Sequence, residues 1–97
     1  MKQLVFKEEA KKDIGESYRW YEEQQPGLGE SFLEEIEKYI TIIIANPFTY
    51  SIRHNNKRAA VLKRFPYIVV YESSDQEIVV YAVFNTHQDP SKLVARK

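Results

Sequence analysis

Apolar residues in the first half of the chain recur at steps of three and four, while in the second half they alternate or run together, so the sequence predicts helices followed by strands. Leu4, Val5 and Phe6 suggest a short opening strand. Glu8 and Glu9 then start a helix, where carboxylates complement the positive end of the dipole. Ala10, Ile14, Ser17, Tyr18 and Tyr21 gather on one face of it, with Trp20 to one side. Gly15 weakens this helix by about 1 kcal/mol relative to alanine. Pro26, Gly27 and Gly29 end it. A second helix carries Phe32, Ile36, Tyr39, Ile40 and Ile43 on its inner stripe, widened by Leu33 and Ile44, and sets Glu34, Glu35, Glu37 and Lys38 on its outer side. Asn46-Pro47 stops it, because proline drives the preceding residue away from helical dihedrals.

The remaining half reads as strands. Tyr50, Ser51, Ile52 and Arg53 form a short one, and His54, Asn55 and Asn56 turn the chain into the basic run 57–64. Phe65-Pro66-Tyr67 turns it again into 68–72, and Ser73, Ser74, Asp75 and Gln76 lead to the last strand, 77–84. Strict alternation places Ile78, Val80, Ala82 and Phe84 on one face of that strand and Val79, Tyr81 and Val83 on the other, so both faces are apolar. Two helices cover one face only. The other must be closed by the carboxyl tail, by a second copy or by another protein, since a contiguous open apolar face marks an interaction site. Asp89-Pro90 is expected to start a turn that folds the tail back on the sheet. The expected architecture is therefore α+β: a helical hairpin packed on one face of a small, mostly antiparallel sheet, in the order β-α-α-β-β-β with one further short strand.

Ninety-seven residues are expected to form a single domain, 1–97, because a chain of this length cannot divide its core. Seven Tyr, five Phe and one Trp supply large groups to fill it without disulfides, and there is no cysteine. The longest apolar run of the second helix, 42–45, is far short of the roughly 20 residues that span a bilayer. The amino end has no apolar h-region, so a cytoplasmic protein with no membrane association is expected. Net charge is zero, yet residues 1–50 carry six basic and ten acidic groups against eight and four in 51–97. If the halves form separate faces, the second attracts a polyanion or an acidic protein segment and the first repels it.

In this order, Trp20-Tyr21-Glu22, Pro26-Gly27-Leu28-Gly29, Phe65-Pro66-Tyr67 and the strand-rich second half, the chain resembles the RelE/ParE family, the toxins of bacterial type II toxin-antitoxin modules, also labelled plasmid-stabilisation proteins. The ParE-like branch is favoured. The resemblance implies a toxin that inhibits DNA gyrase by protein-protein contact, arrests growth and is neutralised by a cognate antitoxin. It implies a homo-oligomer or a toxin-antitoxin hetero-oligomer, no cofactor, no metal and, on this branch, no catalytic residues. The alternative is a RelE-type ribosome-dependent endoribonuclease acting on mRNA without metal, with Arg53, Arg58, Lys63, Arg64 and His87 as its candidate groups. A third reading is an inactive toxin-like binding domain.

Many ParE-like members carry a His-x-x-Arg-x-Pro sequence in the tail, where this chain has Asn85 and Gln88 in place of the two cations, followed by Pro90. Both departures weaken the nuclease reading. His87, Gln88, Lys92 and Arg96 remain the candidates for target contact. Ile36, Tyr39, Ile43, Val79 and Tyr81 are the candidates for antitoxin binding, with sealed core as the competing role. The sequence has no phosphate-binding glycine loop, His-Glu-x-x-His motif or nucleophile elbow.

Overall fold

A computed structural model describes residues 2–94. The elements are β1 (Gln3–Phe6), α1 (Glu8–Gln24), α2 (Leu28–Ala45), β2 (Ile52–His54), β3 (Lys57–Val61), β4 (Tyr67–Ser73), β5 (Glu77–Asn85) and α3 (Pro90–Val94). One five-stranded sheet has the order β1-β5-β4-β3-β2. β1 lies parallel to β5, and every other pairing is antiparallel. The expected α+β hairpin-on-sheet architecture holds. α3 was not foreseen as a helix: Asp89 caps it by accepting the Ser91 N–H at 3.0 Å, and Pro90 sits at its first position, where no N–H is required.

The linker between α1 and α2 shows why its residues are what they are. Gly27 adopts φ 90°, a left-handed conformation that glycine reaches without strain. The Glu22 carboxylate then accepts the N–H groups of Gly27 and Gly29, each at 3.0 Å, and so caps the start of α2 from the last turns of α1. A Cβ on Gly29 would lie 2.9 Å from both that carboxylate and the Tyr18 ring, so the hairpin closes only around a bare α-carbon. The β2–β3 turn follows similar logic, with Asn55 and Asn56 both at positive φ.

The main core lies between the hairpin and one face of the sheet. It holds Phe32, Ile36, Tyr39, Ile40 and Ile43 from α2 with Ala60, Tyr67, Val69, Tyr71, Ile78, Val80 and Val83 from the strands. Tyr21, Phe32, Phe65 and Tyr67 pack as an aromatic cluster with ring centres 4.9–6.2 Å apart, which gives Phe65-Pro66-Tyr67 a packing role. Tyr71 is fully buried and its hydroxyl donates to the Pro47 carbonyl at 2.6 Å, tying the end of α2 to β4.

Two expectations about faces are overturned. In the β4–β5 ladder Val70 pairs with Ala82 but Tyr71 with Val80, so Tyr81 is an extra residue in β5. This β-bulge reverses the alternation. Ile78 and Val80 point at the helices as expected, yet beyond the bulge Val83 takes that side and Ala82 and Phe84 turn to the opposite one. Glu35, expected on the outer side of α2, is 2% exposed and accepts the Arg64 N–H at 3.2 Å, because the β3–β4 connection folds over it.

Candidate protein-docking face

The sheet face away from the hairpin carries a smaller apolar cluster of Val70, Ala82 and Phe84, against which Ile68, Tyr81 and Leu93 of α3 pack. The tail thus covers part of this face, as one of the sequence alternatives required. Beside α3 a groove of about 470 Å³ remains, floored by Ala59, Val61, Ile68, Val70 and Ala82. Val61 is 52% exposed there, and exposed apolar side chains that line a concavity are the usual mark of a binding surface. The open area is narrower than two-sided alternation implied, since Ala82 is fully buried and Phe84 only 5% exposed.

Charge is arranged around one end of this groove. Lys7, Arg53 and Lys57 line it together with Glu8 and Glu9. The Lys57 and Lys7 ammonium groups lie 4.6 and 5.7 Å from the centre of the Tyr81 ring, a cation–π geometry that fixes the ring between them. The Tyr81 hydroxyl donates to Glu72 at 3.1 Å. Burial, then the Glu72 carboxylate, pushes the Tyr81 phenol above its ordinary value, so it stays a neutral donor. Alternation from Val80 places Tyr81 on this face, and the bulge lets Ala82 and Phe84 follow it there.

The candidate residues named from sequence fall in different places. Tyr81 lines the groove, and Val79, half-buried beside Val5, alternates away from the core residues Ile78 and Val80 toward the same face. Ile36, Tyr39 and Ile43 do not: they are 5%, 5% and 0% exposed between the hairpin and the sheet, where they belong to the main core. Their helical spacing fits core and contact equally, and only packing separates the two.

Arg53, Arg58, Lys63, Arg64 and His87 are not gathered into one cluster. Arg53 edges the groove. Arg58 takes the opposite side, donating to the Tyr50 carbonyl at 2.7 Å and stacking 5.0 Å from the Phe48 ring centre. Lys63 and Arg64 are exposed beyond the far end of β3, and His87 is exposed in the turn after β5, where its N–H bonds the Asn85 side chain at 2.8 Å. Gln88 and Lys92 are exposed near the tail, whereas Arg96 and the His54 side chain lie outside the described residues. Among the described residues no group of three or more His, Cys, Asp and Glu is placed to hold a metal ion, and no helix is long and apolar enough to cross a membrane.

Sequence reasoning missed a second concavity, of about 410 Å³, between α1 and the end of β5. Asp13, Glu16, Ser17 and Trp20 form one of its walls at steps of three and four, a stripe that was legible in the helix. Asn85 and Gln88 stand opposite, over a floor of Tyr67, Val83 and Phe84. Asp13 accepts the Val83 N–H at 3.0 Å, where β1 has already ended, and Tyr67 donates to Ser17 at 2.9 Å.

Comparison with known proteins agrees with this architecture. A solved structure described as the chromosomal ParDE TA system from P. aeruginosa superposes with a TM-score of 0.76 at 18% sequence identity, over 88% of this chain and 96% of that one. The likeness at that identity concerns the fold. No curated protein sequence matches the chain significantly. The family model for the ParE toxin of type II toxin-antitoxin system, parDE, matches residues 4–90, nearly the whole length, and the chain therefore belongs to the ParE toxin family.

Proposed function

We propose that this chain is a single-domain ParE-type toxin of the cytoplasm that inhibits DNA gyrase through protein-protein contact and is silenced by an antitoxin seated on the open face of its sheet. Family membership supports the toxin role, and the observation that carries the docking surface is the groove beside α3, apolar in its floor and lined at one end by Lys7, Arg53 and Lys57 alongside Glu8 and Glu9. A segment with two or three apolar side chains and a carboxylate near Tyr81 complements it in shape and charge. Gyrase contact is assigned to the tail side, around His87, Gln88 and Lys92. The dispersal of the basic groups and the neutral Asn85 and Gln88 favour this reading over mRNA cleavage, which needs a concerted acid-base or cationic cluster.

The test is induction in a bacterial host with and without the small protein encoded in the same operon. Growth arrest, trapped gyrase-DNA cleavage complexes and rescue by that protein are expected. Transcripts cut at codons in translating extracts would instead support the RelE-type alternative. Unaltered growth would leave a toxin-like binding domain.

A further inference from the structure

We propose that the cleft between α1 and the end of β5 receives an arginine side chain from a protein partner. Asp13, Glu16, Ser17 and Trp20 share one face of α1, and the chain after β5 brings Asn85 and Gln88 to the other wall. Trp20 is 56% exposed, an uncommon state for the largest apolar side chain, and its indole stands edge-on to Tyr21 with centres 5.1 Å apart. More than half of the residue is thereby left open to a partner.

The floor groups already have internal bonds: Tyr67 to Ser17, and the Val83 N–H to Asp13. Glu16 is exposed and has no ion-pair or hydrogen-bond partner among the described residues. The cleft thus holds two carboxylates, two amides and an exposed indole, and among the described residues no cation lines it; Lys12 and Arg19 lie one helical turn from Glu16 but outside the lining, and neither pairs with it. A polyanion is repelled by that set, and an apolar side chain leaves Glu16 without a partner. A guanidinium satisfies it: the plane stacks on an indole, the forked N–H groups match a carboxylate, and side-chain amide oxygens accept what remains. A volume of about 410 Å³ is ample for one such side chain.

Trp20 is the sole tryptophan, so its emission reports the cleft directly. The purified chain is titrated with acetyl-Gly-Arg-Gly-amide and, in parallel, with the isostere in which citrulline replaces arginine. A saturable change in emission with the arginine peptide is expected, with weaker binding of the citrulline peptide and roughly two- to fivefold weaker arginine binding by Glu16→Gln. Side-chain amide resonances of Asn85 and Gln88 should shift along the same isotherm. Absence of saturation, or an equal response to both peptides, or indifference to Glu16→Gln overturns the proposal. None of these outcomes bears on toxicity, so the family reading stands or falls separately.

Discussion

The Asp13 carboxylate has a structural duty that a pair of substitutions can isolate. β1 pairs with β5 only through Val80, and beyond that point α1 takes its place beside the strand. Val83 is 2% exposed, so its outward N–H has no access to water and is satisfied by Asp13 at 3.0 Å. A hydrogen bond to a charged group contributes about 1.5–3 kcal/mol, and a buried donor left without a partner costs about 1–3 kcal/mol. Asp13→Ala should therefore destabilise by about 2 kcal/mol, which for a domain of this size lowers Tm by roughly 10 °C. Asp13→Asn keeps an acceptor oxygen in place and should cost less than about 1 kcal/mol. Urea unfolding followed by circular dichroism gives both values. If asparagine costs as much as alanine, bonding to Val83 is not the cause. If alanine costs less than about 0.5 kcal/mol, the Val83 N–H reaches water and the assignment fails.

Glu22→Ala removes the carboxylate shared by the Gly27 and Gly29 N–H groups, and a loss of about 1–2 kcal/mol in thermal unfolding is expected from the missing cap; Gly29→Ala should destabilise further even in that background, because its methyl group also meets the Tyr18 ring at 2.9 Å. Burial, then Tyr67, pushes the Tyr21 phenol from its ordinary 10.0 up to about 12. The folded state therefore holds a proton that the unfolded chain releases, so stability is complete below pH 10 and falls by about 1 kcal/mol per unit between pH 10 and 12. Denaturant titrations across that range should show the decline, flatter in Tyr21→Phe. Val61→Asp, on an exposed groove residue, should leave Tm within about 2 °C yet weaken calorimetric binding of the operon's antitoxin at least about tenfold, because it sets a carboxylate against an acidic, apolar segment.

The candidate site was legible in part. Tyr81 and Val79 stood out as apolar residues on a strand too oily to be covered on both sides, and both flank the open face. Ile36, Tyr39 and Ile43 share that oiliness but occupy the core, since an inner helical stripe and a contact stripe have the same period. Lys7 and Lys57 are fifty residues apart and meet only across the Tyr81 ring. Trp20 looked incidental from α1 alone; the cleft exists because Asn85 and Gln88 arrive opposite it.

Local chemistry wrote the order of elements into the chain: helix periods, the Pro-Gly linker, the Asn-Asn turn and the β-rich second half each act over a few residues and need no distant partner. Which side a residue of β5 faces was settled in three dimensions, because the bulge at Tyr81 comes from the register against β4, and a register is a property of two strands. The same holds for β1 lying beside β5, for Leu93 covering part of the second face, and for Glu35 turning inward to hold the β3–β4 connection. Each joins groups far apart in sequence, where alternation and propensity carry no information.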